Sequence, residues 1–63
     1  MTLDEANSAL RLYGLKLDRE WRWTVHDKDT YMYLLRTDRD IYNIGDWDLP
    51  IQNVYNHVVE EYT

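Results

Sequence analysis

The sequence predicts a single two-layer α+β domain over residues 1–63, ordered as N-terminal helix, three-stranded antiparallel β-meander and C-terminal helix (αβββα). Three observations carry this expectation. An apolar stripe with helical spacing opens the chain, a middle block alternates apolar and polar residues, and a second helical stripe closes it. Both helices are expected on one sheet face, which leaves the other face without a covering layer.

The first helix is expected at about residues 3–13. Thr2 and Glu5 have capping-box spacing, in which each side chain meets the other residue's backbone N–H. Leu3, Ala6, Leu10 and Tyr13 recur at three- and four-residue steps, and Gly14 stands where a left-handed residue would end the helix.

Leu15 and Leu17 alternate with Lys16 and Asp18 in an extended lead-in. Trp21, Trp23 and Val25 then alternate with Glu20, Arg22, Thr24 and His26, as a strand with one apolar face would. Asp27-Lys28-Asp29 is a polar turn without Gly, so a four- or five-residue loop is expected rather than a two-residue one. In the second strand Tyr31, Tyr33 and Leu35 share one face, and Met32, Leu34 and Arg36 the other. Both faces are largely apolar, which places this strand at the centre. Thr37-Asp38-Arg39-Asp40 forms the next turn. Ile41-Tyr42-Asn43-Ile44 is a short third strand, ended by Gly45.

The last helix has the clearest pattern. Ile51, Val54, Tyr55, Val58, Val59 and Tyr62 form one stripe, with Pro50 in the first turn and Asp48 as the expected N-cap. Glu60 and Glu61 sit at the C-terminal end, where the helix dipole disfavours acids.

Composition narrows the function. The chain has three Trp and six Tyr but no Phe, so every aromatic side chain carries a polar end. Such residues suit surfaces that become buried against something else. Twelve acids against seven Lys plus Arg give a net charge of −5. That balance disfavours direct binding to nucleic acid or anionic lipid, which reward cations. Cys is absent, so disulfides and thiolate metal sites are excluded. No apolar run is long enough to span a bilayer, and the first residues lack the basic start of a signal peptide. The cytoplasm is the expected location, the host cytoplasm for a phage-encoded chain.

No enzyme signature appears. His26 and His57 have no nucleophile or metal-ligand partner in the sequence, and Ser8 lies in no elbow motif. Two Gly cannot build a phosphate cradle. None of the acidic pairs continues as a calcium loop. No catalytic residue, metal site or cofactor is therefore expected.

Three Asp-x-Asp pairs stand out: Asp27/Asp29, Asp38/Asp40 and Asp46/Asp48. In an extended segment such carboxylates lie about 6.6 Å apart on one side, comparable with the phosphate repeat of a nucleic acid. The competing explanation is turn chemistry, since Asp bonds nearby backbone N–H groups. Trp47, between Asp46 and Asp48, is either an interface anchor or a loop residue folded back to seal the core. Trp21, Trp23, Tyr31 and Tyr33 are read as core beneath the helices. Facing outward, they would form a binding platform instead.

The expected function is a small, acidic, non-catalytic interaction protein that occludes a basic surface of a partner protein. A nucleic-acid-handling enzyme or complex is the partner type that such charge suits. Free-standing acidic proteins of this size are often encoded by bacteriophages or mobile elements as anti-host or anti-defence inhibitors. Nucleic-acid mimicry is the narrower form of that analogy, which rests on size and charge alone. The expected partner-binding residues are Asp38, Asp40, Asp46, Trp47, Asp48, Glu60 and Glu61. The alternative is a homo-oligomeric structural or assembly subunit, a homodimer for instance, with Met32 and Leu34 at its self-interface.

Overall fold

The computed structural model describes residues 1–63 and has the αβββα order. Helix α1 spans Leu3–Leu10 and a 3₁₀ turn follows at Arg11–Tyr13. Strands β1 (Lys16–Val25), β2 (Lys28–Arg36) and β3 (Ile41–Trp47) form an antiparallel sheet in the order β1-β2-β3. Helix α2 spans Ile51–Tyr62.

The capping box closes as its spacing requires. Thr2 N–H donates to Glu5 at 2.9 Å, and Glu5 N–H donates to the Thr2 hydroxyl at 3.1 Å. The Thr2 backbone N–H first, and its side chain second, hold the Glu5 carboxyl below the usual carboxylate range. Gly14 has φ 71°, the left-handed geometry that turns the chain out of the helix. The α-helix itself is a turn shorter than its stripe, because Arg11–Tyr13 tightens into 3₁₀ geometry and leaves Tyr13 exposed.

Both helices lie against one face of the sheet, here called the inner face. The core comprises Ala6 and Leu10 from α1, Leu15, Leu17 from β1, Tyr33 and Leu35 from β2, and Ile51, Val54 and Val58 from α2. Tyr31, Ile44, Trp47, Tyr55 and Val59 pack around it. The split of β2 into two faces, and the α2 stripe up to Val59, therefore match the sequence pattern.

Trp21 and Trp23 do not join this core. A β-bulge at Glu20 breaks the β1–β2 register: Arg19 pairs with Tyr33, and Trp21 pairs with Met32. One extra residue reverses the sidedness of everything beyond it. Leu17 and Arg19 lie on the inner face with Leu35 and Tyr33, whereas Trp21 and Trp23 share the outer face with Met32 and Thr30. The odd-numbered apolar residues of β1 are thus divided between two faces, which unbroken alternation forbids.

Other boundaries also differ from expectation. The β1–β2 connection is a two-residue turn, with His26 at φ 52° and Asp27 at φ 62°. Two positive φ values match the right-handed strand twist, and Asp tolerates this region better than most residues. The turn geometry wins over the absence of Gly. Asn-Gly at these positions (His26→Asn with Asp27→Gly) is expected to stabilise the domain by about 1 kcal/mol, read by thermal unfolding. Strand β3 continues past Gly45 to Trp47, through a second bulge at Ile44 that places Gly45 opposite Tyr33. The N-cap of α2 is Pro50 rather than Asp48, with no side-chain cap bond.

Candidate functional site

The outer face of the sheet carries no second layer. Register places Trp21, Trp23 and Val25 of β1, Met32 and Leu34 of β2, and Ile41 of β3 on it. These side chains form a diagonal apolar strip from the β1–β2 hairpin to the opposite end of β3. Trp21 is 52% exposed and Ile41 57% exposed. The two indoles meet edge-on, with centroids 4.7 Å apart at 78°. The Trp21 indole N–H donates to the Met32 sulfur at 2.9 Å, a weak acceptor.

Charges frame this strip and pair within it. Asp18 meets Arg36 and lies 3.8 Å from Lys16, while Arg36 also lies 3.9 Å from Glu20. At the hairpin end Lys28 lies 4.0 Å from Asp48. Asp46, on the edge strand β3 opposite Met32, is the one acid of this face without a cation.

Two asparagine side chains bond peptide groups of the edge strands. The Asn7 side chain, projecting from α1, accepts from Leu17 N–H at 2.7 Å and donates to Leu17 C=O at 2.9 Å. It fills one position of the missing neighbour strand. On β3, Asn43 Oδ1 accepts from Gly45 N–H at 2.8 Å. Each edge also carries a bulge, which interrupts the regular row of peptide groups that an added strand would need. Sequence reading missed both asparagines, since one Asn in a helix and one in a strand carry no local signal of such pairing.

A second feature gathers acids at one end of the molecule. Tyr42 and Tyr62 meet at a tilt of 39° with centroids 5.5 Å apart, which brings the end of α2 beside the start of β3 and the β2–β3 loop. Asp38 and Asp40 in the loop and Glu60 and Glu61 at the helix end therefore lie at the same end of the molecule, and all four are exposed without an ion pair. Tyr42 donates to Asp40 at 3.5 Å. Arg39 is the only cation in that loop, so these five charges sum to −3.

The remaining members of the expected site lie elsewhere. Asp46 and Asp48 are at the hairpin end, and Asp48 is offset by Lys28. Asp29, in the first pair, is offset by Arg22 at 4.0 Å. The three Asp-x-Asp pairs thus do not join into one row. Trp47 is half-buried on the inner face, its indole N–H donating to Ile44 C=O at 2.9 Å and its ring 4.9 Å from His57. It seals the edge of the core, the second of its two expected roles. On the same face the Arg19 guanidinium sits 4.1 Å from the Tyr31 ring centre and covers the part that the helices leave open.

No group of three or more His, Asp or Glu side chains converges on a common point. No helix is long and apolar enough to cross a membrane. Fold and surface together define a two-layer α+β domain with one open sheet face and one acidic end. No family model, curated protein or solved structure matches the chain.

Proposed function

We propose that the chain is a non-catalytic interaction protein that occupies a basic patch on a partner protein through its acidic end. The observation that carries this reading is that Asp38, Asp40, Glu60 and Glu61, exposed and unpaired, lie at the end of the molecule where Tyr42 meets Tyr62. Asp18, Glu20, Asp29 and Asp48 are offset by neighbouring cations, whereas these four leave their field free to steer association. The two tyrosines, 42% and 38% exposed, add rigid amphipathic area at the centre of that end. An inhibitor that blocks a nucleic-acid-handling protein is the particular form of this reading, with a compact acidic end in place of an extended row of charges.

The test is capture from a bacterial lysate on tagged protein at low and high salt. Capture of a basic protein at low salt, lost at high salt, is the expected result. Reversing Asp38, Asp40, Glu60 and Glu61 to Lys is expected to slow association at least about tenfold. Reversing Asp29 and Asp48, whose charges are already offset, leaves capture unchanged. Salt-independent capture, or capture indifferent to the acidic end, would falsify the reading.

A further inference from the structure

The geometry points to a second copy of the chain as the occupant of the outer sheet face, in a two-fold dimer that stacks the two sheets with the helices outside. This goes beyond the acidic-end reading and uses a different surface.

Charge is the first argument. Register and ion pairing place Lys16, Asp18, Glu20, Lys28, Arg36, Asp46 and Asp48 on or beside the outer face, a balance of −1. The whole chain carries −5, so the rest of the surface holds −4. This face therefore carries a small part of the net charge, and like-charge repulsion between two copies is weak across it. A basic partner would find little here to attract it, because each acid except Asp46 already has a cation. Asp46 lies on an edge strand, where it stays at the rim of a face-to-face contact.

Shape is the second argument. Asn7 occupies the β1 edge at Leu17, Asn43 bonds Gly45 on β3, and a bulge interrupts each edge, so the sheet edges are poor templates for an added strand. Stacking is left. Sheets stack about 10 Å apart with strands rotated by about 30°. The diagonal strip of Trp21, Trp23, Met32, Leu34 and Ile41 can meet its own copy in that arrangement. Met32 and Leu34 hold the central strand of this face, and the Trp21 and Trp23 indoles beside them are of the residue type that most often anchors interfaces.

Sedimentation equilibrium of the full chain over a concentration series tests the dimer. The expected mass is twice 7.7 kDa. Added salt should strengthen the dimer by screening like charge, opposite to its effect on capture at the acidic end. Trp23→Lys and Leu34→Asp, made separately, should each weaken self-association at least 100-fold while far-UV circular dichroism stays unchanged. Asp38→Lys with Asp40→Lys should leave the dimer intact. A variant-free readout accompanies these: on dilution the indole N–H resonances of Trp21 and Trp23 should move while that of Trp47 stays fixed. A monomer at millimolar concentration overturns the proposal and leaves the face to a different chain. Movement of Trp47 in place of Trp21 and Trp23, or a dimer that survives both face variants, overturns it as well.

Discussion

Leu17→Ala is expected to bring the domain close to unfolding, whereas Trp21→Ala leaves it folded. Leu17 is fully buried between α1, β2 and α2 residues of the core. Truncating such a leucine costs about 2–5 kcal/mol, because the packed surroundings collapse only partly into the cavity. A chain of 63 residues has about 3–9 kcal/mol of stability to lose. A 3 kcal/mol loss lowers the melting temperature by roughly 12–24 °C in a domain of this size. Trp21 is larger, but about half of it already faces solvent. Its removal costs the edge-on contact with Trp23 and the contact with Met32, about 1 kcal/mol in total. Urea unfolding of dilute protein measures both. Equal losses for the two variants would contradict the bulge at Glu20, since unbroken alternation puts both side chains in one core.

Asn7→Leu is the second large effect. The leucine keeps the branched skeleton of the asparagine but offers nothing to Leu17 N–H and C=O, which Asn7 bonds at 2.7 and 2.9 Å. Each orphaned, partly buried peptide group costs about 1–3 kcal/mol, so a loss of roughly 2–4 kcal/mol is expected. Asn7→Asp should fall between: it can still accept from the N–H, but its carboxylate faces the carbonyl oxygen. Hydrogen exchange at the Leu17 amide gives a direct readout. Protection should fall in Asn7→Leu ahead of the rest of β1. Unchanged protection would mean that Asn7 is not what closes this edge.

The two helices show what local sequence carries well. Thr2, Glu5 and Gly14 act through contacts three or four residues apart, so capping and termination were readable before any tertiary contact was known. The α2 stripe was readable for the same reason, as helical period fixes which residues share a face. The two faces of β2 followed from simple alternation, which identified Met32 and Leu34 as members of the uncovered face.

The candidate surfaces were only half legible. Asp38, Asp40, Glu60 and Glu61 were recognisable one by one, but their placement at one end follows from Tyr42 meeting Tyr62 across two elements. Asp48 looked equivalent to Asp38 in sequence, and only the position of Lys28 distinguishes it. Trp47 looked like a loop residue because Gly45 seemed to end β3. The bulge at Ile44 lets the strand continue and turns the indole onto His57.

The sequence by itself determined the order of elements, the ends of α1, the buried stripe of α2 and the sidedness of β2. These depend on periodicity and on short-range bonds. Tertiary contacts alone set the sidedness of Trp21 and Trp23, the asparagine bonds at the two edge strands and the placement of four acids at one end. A bulge belongs to a pair of strands: the extra residue, Glu20, differs from its neighbours only in lacking a partner on β2. Its effect is nevertheless global, because one unpaired residue turned two tryptophans from the core to the open face.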